Sequence, residues 1–186
     1  IDYNAYTNMP VYGIAGRYIK TGWIFTSRGC IGRCIFCYDP LFQKKMRFRE
    51  ISYVIDEIKY QIKKYNIKGL TIFDDVFSVS EKRVIEFCER ILKENIKIEM
   101  SCQARPDTLT PEMAKYMRKA GFVQVGIGIE SGSQKVLDYL KKGLTIEQIE
   151  EAVKICREYG LKVQTNIVLG TPCEDEADIA KTIELL

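Results

Sequence analysis

Hydrophobic and polar positions along the chain switch between two periods. Short runs with period two, or nearly continuous apolar character, occur at WIFTS (23–27), GLTIF (69–73), IKIEMSCQ (96–103), FVQVGIGIE (122–130) and KVQTNIVLG (162–170), and each predicts a strand. Between them, apolar residues recur every three or four positions. Ile51, Ile55, Ile58 and Ile62 make one stripe of a helix over about 50–65, and Val84, Ile85, Cys88, Ile91 and Leu92 make another over about 81–94, with Ser80 at its N-cap. Thr110-Pro111 supplies an N-cap followed by Pro at the first helical position, and Gly121 closes that helix. A short helix is expected near 133–141. The capping box Thr145-x-x-Gln148 opens a longer one, with Ile149, Ala152, Val153 and Cys156 inward and Gly160 as its stop, and a last helix begins from Glu174. Residues 1–22 hold neither period and read as a linker or wrapping arm.

Five strands thus alternate with helices, and no two are joined by a two-residue hairpin turn. Such a succession predicts an α/β fold with a parallel sheet, either doubly wound or curled as part of a β/α barrel. In both, the working surface lies at the C-terminal ends of the strands. The segments at that edge are Ser27-Arg28-Gly29-Cys30, Asp74-Asp75, Gln103-Ala104-Arg105, Glu130-Ser131-Gly132 and Gly170-Thr171-Pro172. Polar residues, glycines and a cysteine collect there.

Composition narrows the chemistry. The 186 residues include no histidine, which excludes a Ser-His-Asp triad, a Cys-His protease and a Cys/His zinc finger. With 28 Lys plus Arg against 25 Asp plus Glu, the net charge of +3 makes no global case for nucleic acid or membrane. No apolar stretch approaches the ~20 residues of a bilayer span and the N-terminus has no secretory layout, so the cytoplasm is the expected location. The chain starts at Ile1 and stops at Leu186 inside an apparent helix, so it is expected to be a piece of a longer protein.

Three of the seven cysteines, Cys30, Cys34 and Cys37, form C-x3-C-x2-C within SRGCIGRCIFCYDP. Thiolates this close can converge on one metal centre, with Gly29 and Gly32 freeing the backbone around it. A structural zinc site and a cubane cluster both ordinarily take four protein ligands, so a set of three favours a cluster with one iron open to an external ligand. A zinc site completed by Cys102 is the alternative. Cys88 and Cys156, on apolar helix faces, are expected in the core, and Cys102 in strand packing.

The same residues carry a family resemblance. SRGCIGRCIFCYDP resembles the cluster loop of the radical S-adenosylmethionine (radical SAM) superfamily, with Phe36 as the aromatic before the last cysteine. FDDVF (73–77) resembles the segment that holds the methionine amino group, GIGIESGSQ (126–134) the fourth-strand motif near ribose and sulfonium, and residues 140–178 the following helix and fifth strand. Cys173 stands where the family has a glycine after Gly-x-Pro. The serine-arginine-glycine lead-in is most similar to the cobalamin-binding subgroup, with methylthiotransferases second.

The resemblance implies a partial (β/α)6 TIM-like barrel over 23–186, with five βα units present and the sixth strand missing, preceded by the arm 1–22. It implies a 4Fe-4S cluster on Cys30, Cys34 and Cys37, and S-adenosyl-L-methionine (SAM) chelating the open iron and cleaved reductively to a 5′-deoxyadenosyl radical. Phe36 and Tyr38 are then expected near adenine, Asp74 and Asp75 near the methionine amino end, Arg105 near the carboxylate, and Glu130 and Ser131 near the ribose. A flavodoxin- or ferredoxin-like reductant is implied, and so is cobalamin held by a domain outside this chain. The substrate, small or macromolecular, is not legible. The basic run 43–49 is expected to be a solvated face rather than a reductant dock. The competing class is a non-catalytic iron-sulfur or zinc module.

Overall fold

A computed structural model describes residues 14–17, 19–37 and 45–186. Five strands, β1 (Thr21–Ile24), β4 (Gly69–Ile72), β5 (Glu99–Ala104), β6 (Phe122–Glu130) and β7 (Lys162–Ile167), form one all-parallel sheet in that order. Two short strands, β2 (Ser27–Arg28) and β3 (Arg47–Phe48), pair antiparallel beside it. The main sheet follows chain order without the reversal that a doubly wound sheet needs at its switch point, which removes that alternative. β1 begins at Thr21, two residues ahead of where the sequence period becomes regular.

The connecting helices are α1 (Ile51–Tyr65), α2 (Glu81–Lys93), α3 (Pro111–Ala120), α4 (Gln134–Tyr139), α5 (Ile146–Glu158) and α6 (Glu176–Leu185). Thr110 accepts a hydrogen bond from the Met113 amide, and both halves of the Thr145–Gln148 capping box form. Ser80 does hold the N-cap position of α2, but its side chain makes no cap bond. One inward assignment in α2 is corrected. Leu92 is 45% exposed, and Phe87 takes the core position instead, meeting Phe77 and Phe122 edge to face at centroid distances of 5.6 and 6.3 Å. The helix turns its face by about 100° per residue, and Phe87, Cys88 and Ile91 share the buried stripe that Leu92 leaves.

One face of the sheet is apolar. Ile24, Leu70, Ile72, Met100, Cys102, Phe122, Val125 and Ile127 pack there against Val54, Ile58, Val84, Met113, Met117, Ile149 and Cys156 of the helices. Each fully buried side chain of this size contributes about 1.5–3 kcal/mol. The strand register places Trp23, Thr71, Ser101, Gln124 and Gln164 on the opposite face, which is polar. Thr71 and Ser101 hydroxyls lie 3.0 Å apart, and Gln124 Nε2 donates to Gln164 Oε1 at 2.6 Å. That face therefore carries hydrogen-bonded polar side chains rather than a second apolar core.

At the N-terminal strand ends, residues 14–17 lie across the sheet. Ala15 N donates to Gln124 Oε1 (2.6 Å), Lys162 Nζ donates to the Ala15 carbonyl (3.1 Å), and Ile14 is buried. This end is opposite the cysteines. Among the described residues, no helix is long and apolar enough to cross a membrane.

Gly121 ends α3 with φ +105°, and a Cβ there would lie 2.5 Å from the Ile98 carbonyl oxygen. Gly121→Ala is therefore expected to cost about 2 kcal/mol and lower Tm by roughly 5 °C in thermal unfolding. A Tm unchanged from the parent protein would contradict that reading.

Candidate cofactor site at the strand C-termini

The cysteine segment is a loop pinned at its base. Asp74, at the end of β4 and 2% exposed, accepts from Thr26 N (2.6 Å), Thr26 Oγ1 (2.5 Å) and Ser27 Oγ (2.6 Å). Asp75 accepts from the Gly29 amide at 2.9 Å. Gly29 itself adopts φ +100°, and a Cβ there would lie 2.9 Å from the Lys45 carbonyl oxygen. The two ends of the loop thus close on each other at β2 and β3, which only glycine permits. The basic run contributes Arg47 and Phe48 to this closure. Gln43 and Lys44, like the predicted adenine neighbour Tyr38, lie outside the described residues.

Beyond the base, Gly32 sits where the loop meets Arg105. A Cβ on Gly32 would lie 2.9 Å from Arg105 Nη1, 3.4 Å from Cys30 Sγ and 3.7 Å from Cys34 Sγ. Two thiols and a guanidinium therefore surround one small space. Cys34 is buried and Cys37 exposed, and the Cys37 amide donates to the Cys34 carbonyl at 3.4 Å. Within the loop the Gly32 amide donates to Cys30 Sγ at 3.2 Å, and Ile35 N donates to the Leu140 carbonyl at 3.0 Å, which ties the loop to the end of α4.

Arg105 is held in a fork. Its Nε and Nη2 donate to the two carboxylate oxygens of Asp107 at 3.0 and 3.1 Å, and Nη2 also donates to the Lys142 carbonyl at 3.2 Å. Burial opposes its charge, but the hydrogen bonds and charge of Asp107, with the thiols of Cys34 and Cys30, hold its pKa above the ordinary arginine value. Asp107 escaped sequence reasoning. Its signal was the Arg-Pro-Asp spacing, which sets the carboxylate one turn from the guanidinium through a short 3-10 helix (Pro106–Thr108).

Glu130 ends β6 at a register shift against β7 with φ +65°, a conformation that costs a non-glycine residue about 1 kcal/mol or more. The bend turns its carboxylate onto Lys142 Nζ at 2.7 Å, both side chains 8% exposed. A Cβ at Gly128 would lie 2.5 Å from Glu130 Oε1, and one at Gly126 2.3 Å from Gln103 Oε1. The glycines of GIGIE therefore make room for polar side chains over the strand. Lys142 also stands 5.9 Å from the ring centroid of Phe36, which is 45% exposed. Nothing in the sequence singled out Lys142, since a lysine after a short helix looks like any solvated one.

Lys142→Met would leave Glu130 buried without its cation, and is expected to cost about 3 kcal/mol in urea unfolding. Adding Glu130→Gln should restore most of that loss, because no charge then remains to desolvate. Additive losses in the double variant would rule out the pairing.

Ser131 is fully buried and faces α6. Its hydroxyl lies 3.2 Å from Thr182 Oγ1 and accepts from Ser133 N at 3.1 Å, while Ser133 Oγ donates to Asp178 Oδ1 at 2.6 Å. Hydrogen bonds from Lys135 and Ser133 hold the Asp178 carboxyl far below the usual range. The predicted ribose neighbour thus sits in a network that docks α6 onto the turn after β6.

The other cysteines separate cleanly from the loop. Cys88 and Cys156 are fully buried, and Cys102 lies with them on the helix side of the sheet. Burial pushes all three thiols well above the usual cysteine range, that of Cys156 to about 12. A zinc set completed by Cys102 does not form, and among the described residues no three Cys, Asp or Glu side chains gather around a single-ion position. A cubane asks for less convergence, because each thiolate binds a different iron. Cys173, on the loop after β7, lies 3.7 Å from Thr171 Oγ1.

Thiols, a clamped loop and a polar strand edge thus gather at the C-terminal ends of the strands of a β/α scaffold. The Radical SAM superfamily pattern matches residues 24–186, and the chain belongs to that superfamily. It is 32% identical to an uncharacterized methyltransferase of Pyrococcus horikoshii over 97% of this chain and 39% of that protein. It is 30% identical to the anaerobic magnesium-protoporphyrin IX monomethyl ester cyclase of Rubrivivax gelatinosus over 85% and 28%. The chain thus spans well under half the length of these relatives. Among solved structures, the cobalamin-dependent S-adenosylmethionine radical enzyme OxsB matches with TM-score 0.77 and 25% identity over 88% of this chain and 26% of that one. The radical S-adenosylmethionine methyltransferase TsrM of Kitasatospora setae, solved with cobalamin and a [4Fe-4S] cluster, shares the fold at TM-score 0.80 and 21% identity over 90% and 32%. Neighbours of the cobalamin-dependent subgroup agree with the subgroup that the motifs resemble.

Proposed function

We propose that this chain is the cofactor-binding core of a radical SAM enzyme, in which Cys30, Cys34 and Cys37 hold a 4Fe-4S cluster whose fourth iron takes SAM. The observation that carries this reading is the convergence of Cys30 and Cys34 on Gly32 beside Arg105, on a loop that Asp74 and Asp75 clamp to the sheet. The donor set fits such a cluster: three thiols outside any disulfide, no histidine, and a cradle at Gly32 that a side chain would fill. When bound, the cluster supplies the electron for reductive cleavage of SAM to methionine and a 5′-deoxyadenosyl radical.

The chain's own residues bind, orient and exclude water. Arg105 supplies positive charge toward the SAM carboxylate, and exposed Phe36, with Tyr38 next to Cys37, offers aromatic surface for adenine. Asp75, exposed and with one oxygen on Gly29, faces the methionine amino end. Asp74, saturated by Thr26 and Ser27, acts behind it as a positioning residue, as does Ser131 behind the ribose-facing Glu130. In this reading the sheet is five-sixths of a (β/α)6 barrel over residues 23–186, and a further strand beside β7 would close it. A flavodoxin- or ferredoxin-like protein supplies the electron. The named neighbours extend the proposal to cobalamin bound by a separate domain, for methylation or rearrangement of a substrate.

The test is anaerobic reconstitution of the full-length protein with iron and sulfide, followed by dithionite and SAM. A cluster EPR signal that changes on adding SAM, and 5′-deoxyadenosine in the product, are expected. An unchanged signal with no 5′-deoxyadenosine would overturn the reading, and tetrahedral zinc with sulfur coordination would favour a structural module.

A further inference from the structure

We propose that Arg105 and Asp107 form a charge pair that sets the reduction potential of the centre on Cys30 and Cys34, with Arg105 raising the potential and Asp107 limiting the rise. The inference rests on the cluster assignment above and adds to it a role for two side chains. It begins from how the guanidinium is oriented. Nε and Nη2 are turned to Asp107 and the Lys142 carbonyl, which leaves Nη1 on the opposite edge, toward the cysteine loop. There Nη1, Cys30 Sγ and Cys34 Sγ all lie within 4 Å of the point where a Gly32 side chain would start.

The electrostatics follow from that arrangement. Reduction by a low-potential one-electron donor adds one negative charge to the cluster and its thiolates. A fixed cation beside those sulfurs stabilises the reduced form more than the oxidised one, and the effect is strong because the Arg105 side chain is only 9% exposed. Arginine suits the task because its charge does not titrate and its planar fork can be locked by a carboxylate on one edge while the other edge faces the sulfurs. Asp107 does the locking, and its own negative charge, on the guanidinium edge turned away from the cysteine loop, partly cancels the cation. Gly32 completes the device, since any side chain there would displace Nη1 from the thiols.

A purely structural fork makes a different prediction from a potential-setting one, and the sign of two shifts separates them. Arg105→Gln, Asp107→Asn and Arg105→Lys in the full-length protein are loaded with iron and sulfide, and the midpoint potential is read by EPR-monitored redox titration without substrate. Arg105→Gln should be harder to reduce than wild type, Asp107→Asn easier, and Arg105→Lys should stay closer to wild type than Arg105→Gln. Potentials that do not move, or that move in the same direction in Arg105→Gln and Asp107→Asn at wild-type iron content, would overturn the proposal. Should Arg105→Gln fail to load, Asp107→Asn decides alone: an unshifted or lowered potential sinks the pair. A wild-type protein that binds no cluster would overturn the functional assignment instead.

Discussion

Cys34→Ala protein, reconstituted anaerobically beside the parent, is expected to remain colourless, to bind little iron and to release no 5′-deoxyadenosine above background. The physical reason is ligand count: a cluster held by three thiolates has no spare protein ligand to substitute for one removed. Three of the other four cysteines cannot compensate, because Cys88, Cys102 and Cys156 are locked in the core on the helix side of the sheet with their thiols held protonated by burial; a fourth, Cys173, lies on the loop after β7. Cys34 belongs to a loop, so the far-ultraviolet circular dichroism of the variant should match the parent. Cys88→Ala supplies the opposite control. It should load a full cluster while losing about 1 kcal/mol of stability to the small cavity it leaves. Iron retained by Cys34→Ala, or lost by Cys88→Ala at intact fold, would show that the ligand set has been misassigned.

The second large effect is expected at a residue that binds no iron. Asp74→Ala removes the acceptor for three donors, one of them the backbone amide of Thr26, at a site 2% exposed. Hydrogen bonds to a charged group contribute about 1.5–3 kcal/mol each, and part of the loss is recovered by relaxation, so about 4 kcal/mol and a Tm lower by roughly 10 °C are expected. The loop base would loosen with it. The Thr26 carbonyl also accepts from Arg83 Nη2 at 3.2 Å and from the Arg49 amide at 2.9 Å, but contacts at the carbonyl do not set the direction in which Ser27 and Gly29 leave the sheet. Iron uptake should therefore fall although every cysteine is present. Asp75→Ala, which loses a single bond at an exposed residue, should cost under about 1 kcal/mol. Equal Tm values for the two variants would refute the clamp.

These expectations draw unequally on sequence and structure. The strand and helix order was legible because each buried face repeats with the period of its element, as at Ile51, Ile55 and Ile58 of α1. Caps were legible where side chain and backbone chemistry act within three residues, as at Thr110 and Thr145. Leu92 was misjudged because one apolar residue at the edge of a stripe can fall either side of it. The loop cysteines stood out through their spacing, and so did the acidic pair after β4. What each member of that pair touches did not. Asp74 and Asp75 are neighbours with the same chemistry, yet one is buried in three bonds to the loop base and the other is exposed with one.

By itself, then, the sequence determined the alternation of strands and helices, the parallel sheet, the edge at which chemistry collects and the three thiols that define it. All of these depend on local periodicity or on spacing within a few residues. The absence of a switch point in the strand order, the division of the cysteines between loop and core, and the pairs Glu130–Lys142 and Arg105 with the thiols were decided by tertiary structure alone. Each of these joins residues on different strands and loops, where burial and low dielectric fix which charges must meet, and no one-dimensional pattern records that requirement.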